Sequence, residues 1–139
     1  MASLASVRAA LQARLLAAYA GQGVRVERSW PDSTKLPALV VRAAGGEYLQ
    51  NFGHSQELYR FELHVLVSLG PGLEGAQDNL DQYLSADGIL SARAALDADP
   101  TLGGVVHATF APRFRDYDTK TVNGVEVLGA VIDVEVHST

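Results

Sequence analysis

The sequence predicts an α+β fold: a mostly antiparallel β-sheet with an N-terminal helix and a central helical pair packed on one face, ending in a long C-terminal β-hairpin. Three observations predict it. Apolar residues recur at steps of three and four after Ser3 and again after Gly72, the period of a half-buried helix. They occupy every odd position from Tyr59 to Leu69, opposite Arg60, Glu62, His64 and Ser68, the period of a strand with one buried face. Asn123-Gly124 stands between two long alternating runs, the strongest short-range hairpin signal. At 139 residues the chain reads as a single domain over 1–139. A domain near this size buries roughly 70% of its extended surface, so a core forms without disulfide or metal.

Taken in order, Leu4, Val7, Leu11, Leu15 and Ala18 share one helical face, with Arg8, Gln12 and Arg14 between them and Ser3 as N-cap. Gly21 and Gly23 stop this helix, and Val24 to Arg28 alternates as a short strand. A turn-rich segment from Ser29 to Lys35, containing Pro31, leads to a second strand over Leu39 to Ala43. Gly45-Gly46 then opens a loop or a ragged strand carrying Tyr48, Leu49, Phe52 and His54, before the long strand from Tyr59 to Leu69. Beyond Gly70-Pro71-Gly72 comes a helical stripe of Leu73, Ala76, Leu80, Tyr83 and Leu84, broken at Asp87-Gly88. Ile89 to Leu96 makes a second helical piece, ended by the turn from Asp97 to Pro100 and the glycines at 103 and 104. Val105 to Tyr117 and Val125 to Val136 are the two hairpin strands.

That hairpin contains a parity conflict. A strict two-residue turn would set Arg115 opposite Ile132 and Arg113 opposite Val134, splitting the apolar set between both faces. One extra residue on one strand repairs the pattern, which predicts a bulge near Gly129 or at Asp116 to Asp118. The bulge would twist the outer part, Asp116 to Glu126, into an arm.

Composition excludes several chemistries. With no cysteine, the chain has no thiol nucleophile, redox pair or thiolate metal site. The formal net charge of -5 argues against a protein whose main work is gripping phosphate backbones. No apolar run reaches membrane-spanning length and Arg8 and Arg14 interrupt the N-terminal stretch, so the chain reads as soluble and unprocessed, with no membrane partner. Charge is uneven: residues 1–70 hold seven Lys/Arg against five Asp/Glu, and residues 71–139 hold four against eleven. The two halves either neutralise each other within the fold or supply complementary edges between copies.

The motifs reduce to structure. Gly70-Pro71-Gly72-Leu73-Glu74-Gly75 matches a dinucleotide-binding fingerprint between strand and helix, but a second helix intervenes and the flanking strands look antiparallel, so the glycines read as a turn and no cofactor is expected. Asp78 and Asp81 read as a solvated helix face, Asp97 and Asp99 as a turn cap, and no metal is expected. His54, His64, His107 and His137 are too scattered to assemble by spacing. With no nucleophile elbow, zinc-protease or phosphate-loop motif, the chain does not read as an enzyme. Arg113, Phe114, Arg115 and Tyr117 form the one cluster that resembles a nucleic-acid platform, weakened by Asp116 and Asp118.

The segment from Asp78 to Leu84, the run from Ser91 to Gly104, the strand from Tyr59 to Leu69 and the ending from Val127 to Val136 together resemble small neck and tail proteins of long-tailed, siphovirus-type bacteriophages. Within that group the chain is most similar to the tail terminators of phages of high-GC Gram-positive bacteria, over about residues 38–136. The resemblance implies a virion structural protein, an α+β subunit of a homohexameric ring. Such a ring caps the last ring of tail-tube protein, halts tube growth and offers the surface on which the head is joined.

Its implied partners are further copies of itself, the tail tube protein and a head-tail connector or neck protein, with DNA only passing through the lumen. Its place would be the head-proximal end of the virion tail, reached by assembly in the host cytoplasm. Expected contact residues are Tyr48, Leu49, Phe52 and His54 in one loop, and Arg113, Arg115, Tyr117 and Lys120 on the hairpin. Inward packing is the competing reading of the apolar ones. Two other functions stay open: a head-completion or neck ring protein of the same virion, and a small monomeric ligand-binding or enzymatic α+β domain.

Overall fold

The computed structural model describes residues 3–27, 36–51, 54–70, 72–122 and 124–138, with the backbone alone at 49–51 and 54–56. Helix α1 (Leu4–Ala18) starts at Ser3, whose Oγ accepts the Ser6 amide at 3.1 Å. Strand β1 (Arg25–Glu27) follows, then β2 (Ala38–Asn51), β3 (His54–Ser68), helices α2 (Leu73–Leu84) and α3 (Ala92–Asp97), and the strands β4 (Ala108–Val122) and β5 (Val125–Ser138). The five strands form one sheet in the order β1-β2-β3-β5-β4. Only β1 and β2 pair in parallel; the other three pairings are antiparallel.

All three helices lie on one face. Val7, Leu11 and Leu15 of α1, Ala76, Leu80 and Tyr83 of α2, and Ala92, Ala95 and Leu96 of α3 pack with Phe61, Leu63, Val65 and Val67 of β3 and the even-numbered residues Leu128 to Val136 of β5. Each Val, Leu, Ile or Phe side chain among them taken out of water contributes about 1.5–3 kcal/mol, which fixes strand register through the parity of β3 and β5. Side chains then lock the helices to one another. Arg14 Nε donates to the Ala95 carbonyl at 2.8 Å, and Tyr19 Oη to that of Leu90 at 2.8 Å. Burial pushes the Tyr19 hydroxyl well above its ordinary pKa, so it stays a donor at any physiological pH.

The expected bulge is present. Arg115 pairs with Val131 and Asp118 with Gly129, leaving Asp116 and Tyr117 opposite Ala130 alone, with Asp116 at φ 56°. A second bulge lies at Ala111-Pro112, between the pairs Phe110↔Glu135 and Arg113↔Asp133. Proline suits that place, because an edge strand at a bulge has no ladder bond to lose there. The bulge at Asp116 brings Phe114 opposite Ile132, on the helix side.

Several expectations need correcting. Of the two alternatives after Gly45-Gly46, the strand is the one formed: β2 continues to Asn51, with a bulge between Ala43 and Gly45. Gly46 is needed because a Cβ there would lie 2.7 Å from the Leu58 carbonyl oxygen, so the pair bends the strand instead of ending it. The second helical piece is shorter than Ile89 to Leu96, since Ser91 caps it by accepting the Ala94 amide at 3.1 Å. β4 begins later than Val105 and runs on to Val122, because the bulge at Asp116 restores pairing that a straight strand would lose.

The segment Asp116 to Glu126 is also not a free arm. Val127 already pairs with Ser68 of β3, so only residues 121–126 project beyond that strand. The strands flanking the helical pair, β3 and β4, run in the same direction with β5 inserted antiparallel between them. The turn-rich segment from Ser29 to Lys35 lies outside the described residues.

Candidate functional site

The helix-free face of the sheet carries a charged cluster. Cross-strand pairing puts Arg42, Glu62, Asp133 and Arg113 in one row and Val40, His64, Val131 and Arg115 in the next. Arg115 is its hub: Nε donates to both carboxylate oxygens of Asp133 at 3.1 and 3.2 Å, Nη1 pairs with Asp116 at 2.6 Å, and Nη2 bonds Glu62. Arg113 reaches the same Asp133 at 3.3 Å, and His64 Nε2 meets Glu62 at 3.2 Å.

Electrostatics follow from that geometry. Burial pushes the Glu62 carboxyl up, but hydrogen bonds from Arg115 and His64 outweigh it and hold it below the usual carboxylate range. The bond to Glu62 raises the Arg115 guanidinium. Burial lowers the His64 imidazole, Lys120 and Arg42 lower it further, and Glu62 only partly opposes them. Among the described ion pairs, Glu62–Arg115 is the one joining the two halves of the chain. It sets an acid from the basic half against a base from the acidic half, so pairing between the halves does not erase their imbalance.

The aromatic-basic run on β4 is divided between the two faces. Arg113 and Arg115 sit on the helix-free side, Phe114 on the helix side. Tyr117 turns back onto α2, its hydroxyl donating to Asp81 Oδ1 at 2.8 Å; burial first, then that bond, raises its pKa to about 12. A base-stacking platform needs cations and rings on one surface, and this strand separates them. Lys120 lies beside Gly129, its Cδ 3.2 Å from where a Cβ would stand, so its stem covers the sheet.

Of the other expected contact residues, Tyr48 is 84% exposed on the outer half of β2, opposite Glu57. Phe52 lies outside the described residues, as do the side chains of Leu49 and His54. The β2–β3 hairpin outruns β5, whose last described pair with β3 is Ser138↔Glu57, so it is this hairpin that projects. Tyr59 Oη donates to Glu57, which raises the tyrosine pKa to about 12.

Sequence reasoning missed a cleft between the helical pair and the edge strand β4. It has a volume of about 430 Å³, with Tyr83, Leu84, Ala111, Pro112, Phe114 and Ile132 in its walls and Arg93 and Arg113 beside them. An adjoining depression of about 400 Å³ shares Arg93, Ala111 and Pro112 and continues to Phe110 and His137. Phe110 and Phe114 are each about half exposed, at 51% and 52%. The signal was the phase of Phe114, which the bulge at Asp116 sets.

The described residues of the glycine-rich turn lead into α2 without the adjacent parallel strands of a dinucleotide-binding unit. Gly72 caps α2 at φ 88°, its amide donating to Leu69 at 2.9 Å, and β5 separates the two strands that a phosphate-binding unit would hold side by side. Asp99 caps its turn by accepting the Gly103 amide at 3.0 Å, as its spacing suggested. Among the described residues, no three His, Asp or Glu side chains lie close enough to hold a metal ion, and no helix is long and apolar enough to cross a membrane. No model of a known protein family matches the chain, and no curated protein matches it.

Proposed function

We propose that the chain is a tail terminator of long-tailed bacteriophages, the subunit of a homohexameric ring that caps the tail tube, stops its polymerisation and presents the head-joining surface. The reading rests on the likeness of residues 38–136 to that group. The observation that carries it on the structural side is the β2–β3 hairpin, which leaves the helix-covered part of the sheet and holds Tyr48 almost wholly in water. A projecting hairpin that presents an aromatic side chain on a strand edge is a useful surface for an assembly. Its partners would be further copies of itself, tail tube protein and a neck protein, with DNA passing through the ring.

Native mass by light scattering, alone and after mixing with tail-tube protein of the same genome, tests the reading. A hexamer, or one that appears on mixing and stops tube growth, is the expected result. A ring that binds a neck protein but leaves tube growth unchanged would move the chain to head completion. The cleft of about 430 Å³ favours a second reading, a small ligand-binding domain, since apolar walls with Arg93 beside them suit an amphipathic acid. A monomer that neither binds nor caps tubes would shift the weight there.

A further inference from the structure

Among the described residues the sheet is open at both ends: β4 spans 15 residues with no strand paired to its outer edge, and the three residues of β1 pair with Ala38, Leu39 and Val40 of the 14-residue β2. Long bare edges invite pairing, and a protein that stays single blunts them along their length. Here β4 is blunted at its two bulges, while the cleft beside it leaves Phe114 half exposed. The outer half of β2 carries Tyr48 and, across from it on the same face, Glu57.

From these two surfaces, and resting on the ring reading above, we infer that the cleft between the helical pair and β4 receives the β2–β3 hairpin of a second copy of this chain. Tyr48 enters the apolar cleft, and Glu57 beside it faces Arg93, whose side chain is 58% exposed. A cleft with apolar walls and a cationic neighbour matches an aromatic ring flanked by a carboxylate. The occupant is a second copy because both surfaces belong to one chain and lie on opposite edges of its sheet. Two different patches that mate head to tail generate a ring when the rotation closes. Each subunit would then give one hairpin and accept one.

The test uses two full-length variants, Tyr48→Asp and Phe114→Asp, at positions exposed enough to spare folding. Arg93→Glu serves as a second cleft variant whose side chain is more exposed still. Under conditions where the wild type assembles, each variant alone should need at least about tenfold more protein to do so, the loss expected at a central contact. An equimolar mixture of Y48D and F114D should stop at a dimer in light scattering. In that pair one intact hairpin meets one intact cleft, and the remaining surfaces are both spoiled.

Rings from the variants like those of the wild type would overturn this contact and leave the ring reading standing. A mixture with no dimer would also overturn it. Normal self-assembly of F114D with loss of tube capping would assign the cleft to tail-tube protein instead. A wild type that stays monomeric alone and with tail-tube protein would remove the ring and this contact together.

Discussion

At the residue scale, the cluster on the helix-free face shows how one side chain can serve the fold where the sequence suggested a contact. The place of Arg115 on the hairpin suggests a contact residue; in the fold it ties β3 to β4 across β5 through Glu62 and Asp133. Nothing in the spacing could reveal this, because Glu62 and Arg115 are 53 residues apart and become neighbours only through the bulge at Asp116. Arg113, by contrast, stays 60% exposed and free to make a further contact. Among the described residues, His64 gives the fold a pH response. Its folded pKa lies below that of the unfolded chain, near 6.5, so between those two values the unfolded chain binds more protons and stability falls as pH drops. The contribution is complete above the unfolded value and is lost progressively as pH falls from there toward the folded one. Thermal melts from pH 8 down to pH 5 should therefore show a declining Tm, and His64→Gln should flatten the decline. Equal slopes in both proteins would mean that His64 is not the group responsible.

At the element scale, the parts that were legible are those where local chemistry and burial agree. The capped start of α1, the limits of α2 and the alternation of β3 follow from residues whose preference and tertiary role coincide. Even the bulge at Asp116 was legible, since a parity conflict leaves few remedies. What was not legible lay where one residue type has two uses. Gly45-Gly46 can end a strand or let it bend, and the close approach of the Leu58 carbonyl to Gly46 decides for bending. Gly46→Ala should accordingly cost about 1–3 kcal/mol in denaturant unfolding, because a backbone oxygen 2.7 Å from the new methyl cannot swing aside. The second bulge, with Pro112 in it, escaped because one repair already satisfied the outer hairpin. Helix α3, at six residues, depends heavily on its cap. Ser91 is buried and accepts the Ala94 amide, so Ser91→Ala should lose about 1 kcal/mol, measured the same way. No loss would mean that packing of Ala92, Ala95 and Leu96 alone holds that turn.

At the scale of the whole molecule, the two hairpins leave the sheet toward opposite ends, and this polarity bears on how a ring could meet two different neighbours. β2–β3 passes the end of β5 near Ser138, while β4–β5 passes the end of β3 near Ser68. If the first hairpin joins copies, the second is left to face along the tail axis. The outer segment expected from sequence began at Asp116, but removing it from there would take away Tyr117, which holds α2, and Lys120, which covers Gly129. It would also strip the β4 partners from Val127 and Leu128, both buried. That deletion should lower stability and so could not isolate an assembly role. A smaller change separates the two effects. Lys120 and Val127 face each other across the hairpin, so residues 121–126 can be replaced by Asn-Gly, the pair suited to a two-residue turn. The shortened protein should melt within a few degrees of the wild type and still form rings, since the β2–β3 hairpin and the cleft are untouched. Its expected defect is in capping: tail-tube protein should continue to polymerise in its presence. Undiminished capping would take the β4–β5 tip out of tube docking, whereas loss of rings with an unchanged melting temperature would place that tip between the copies.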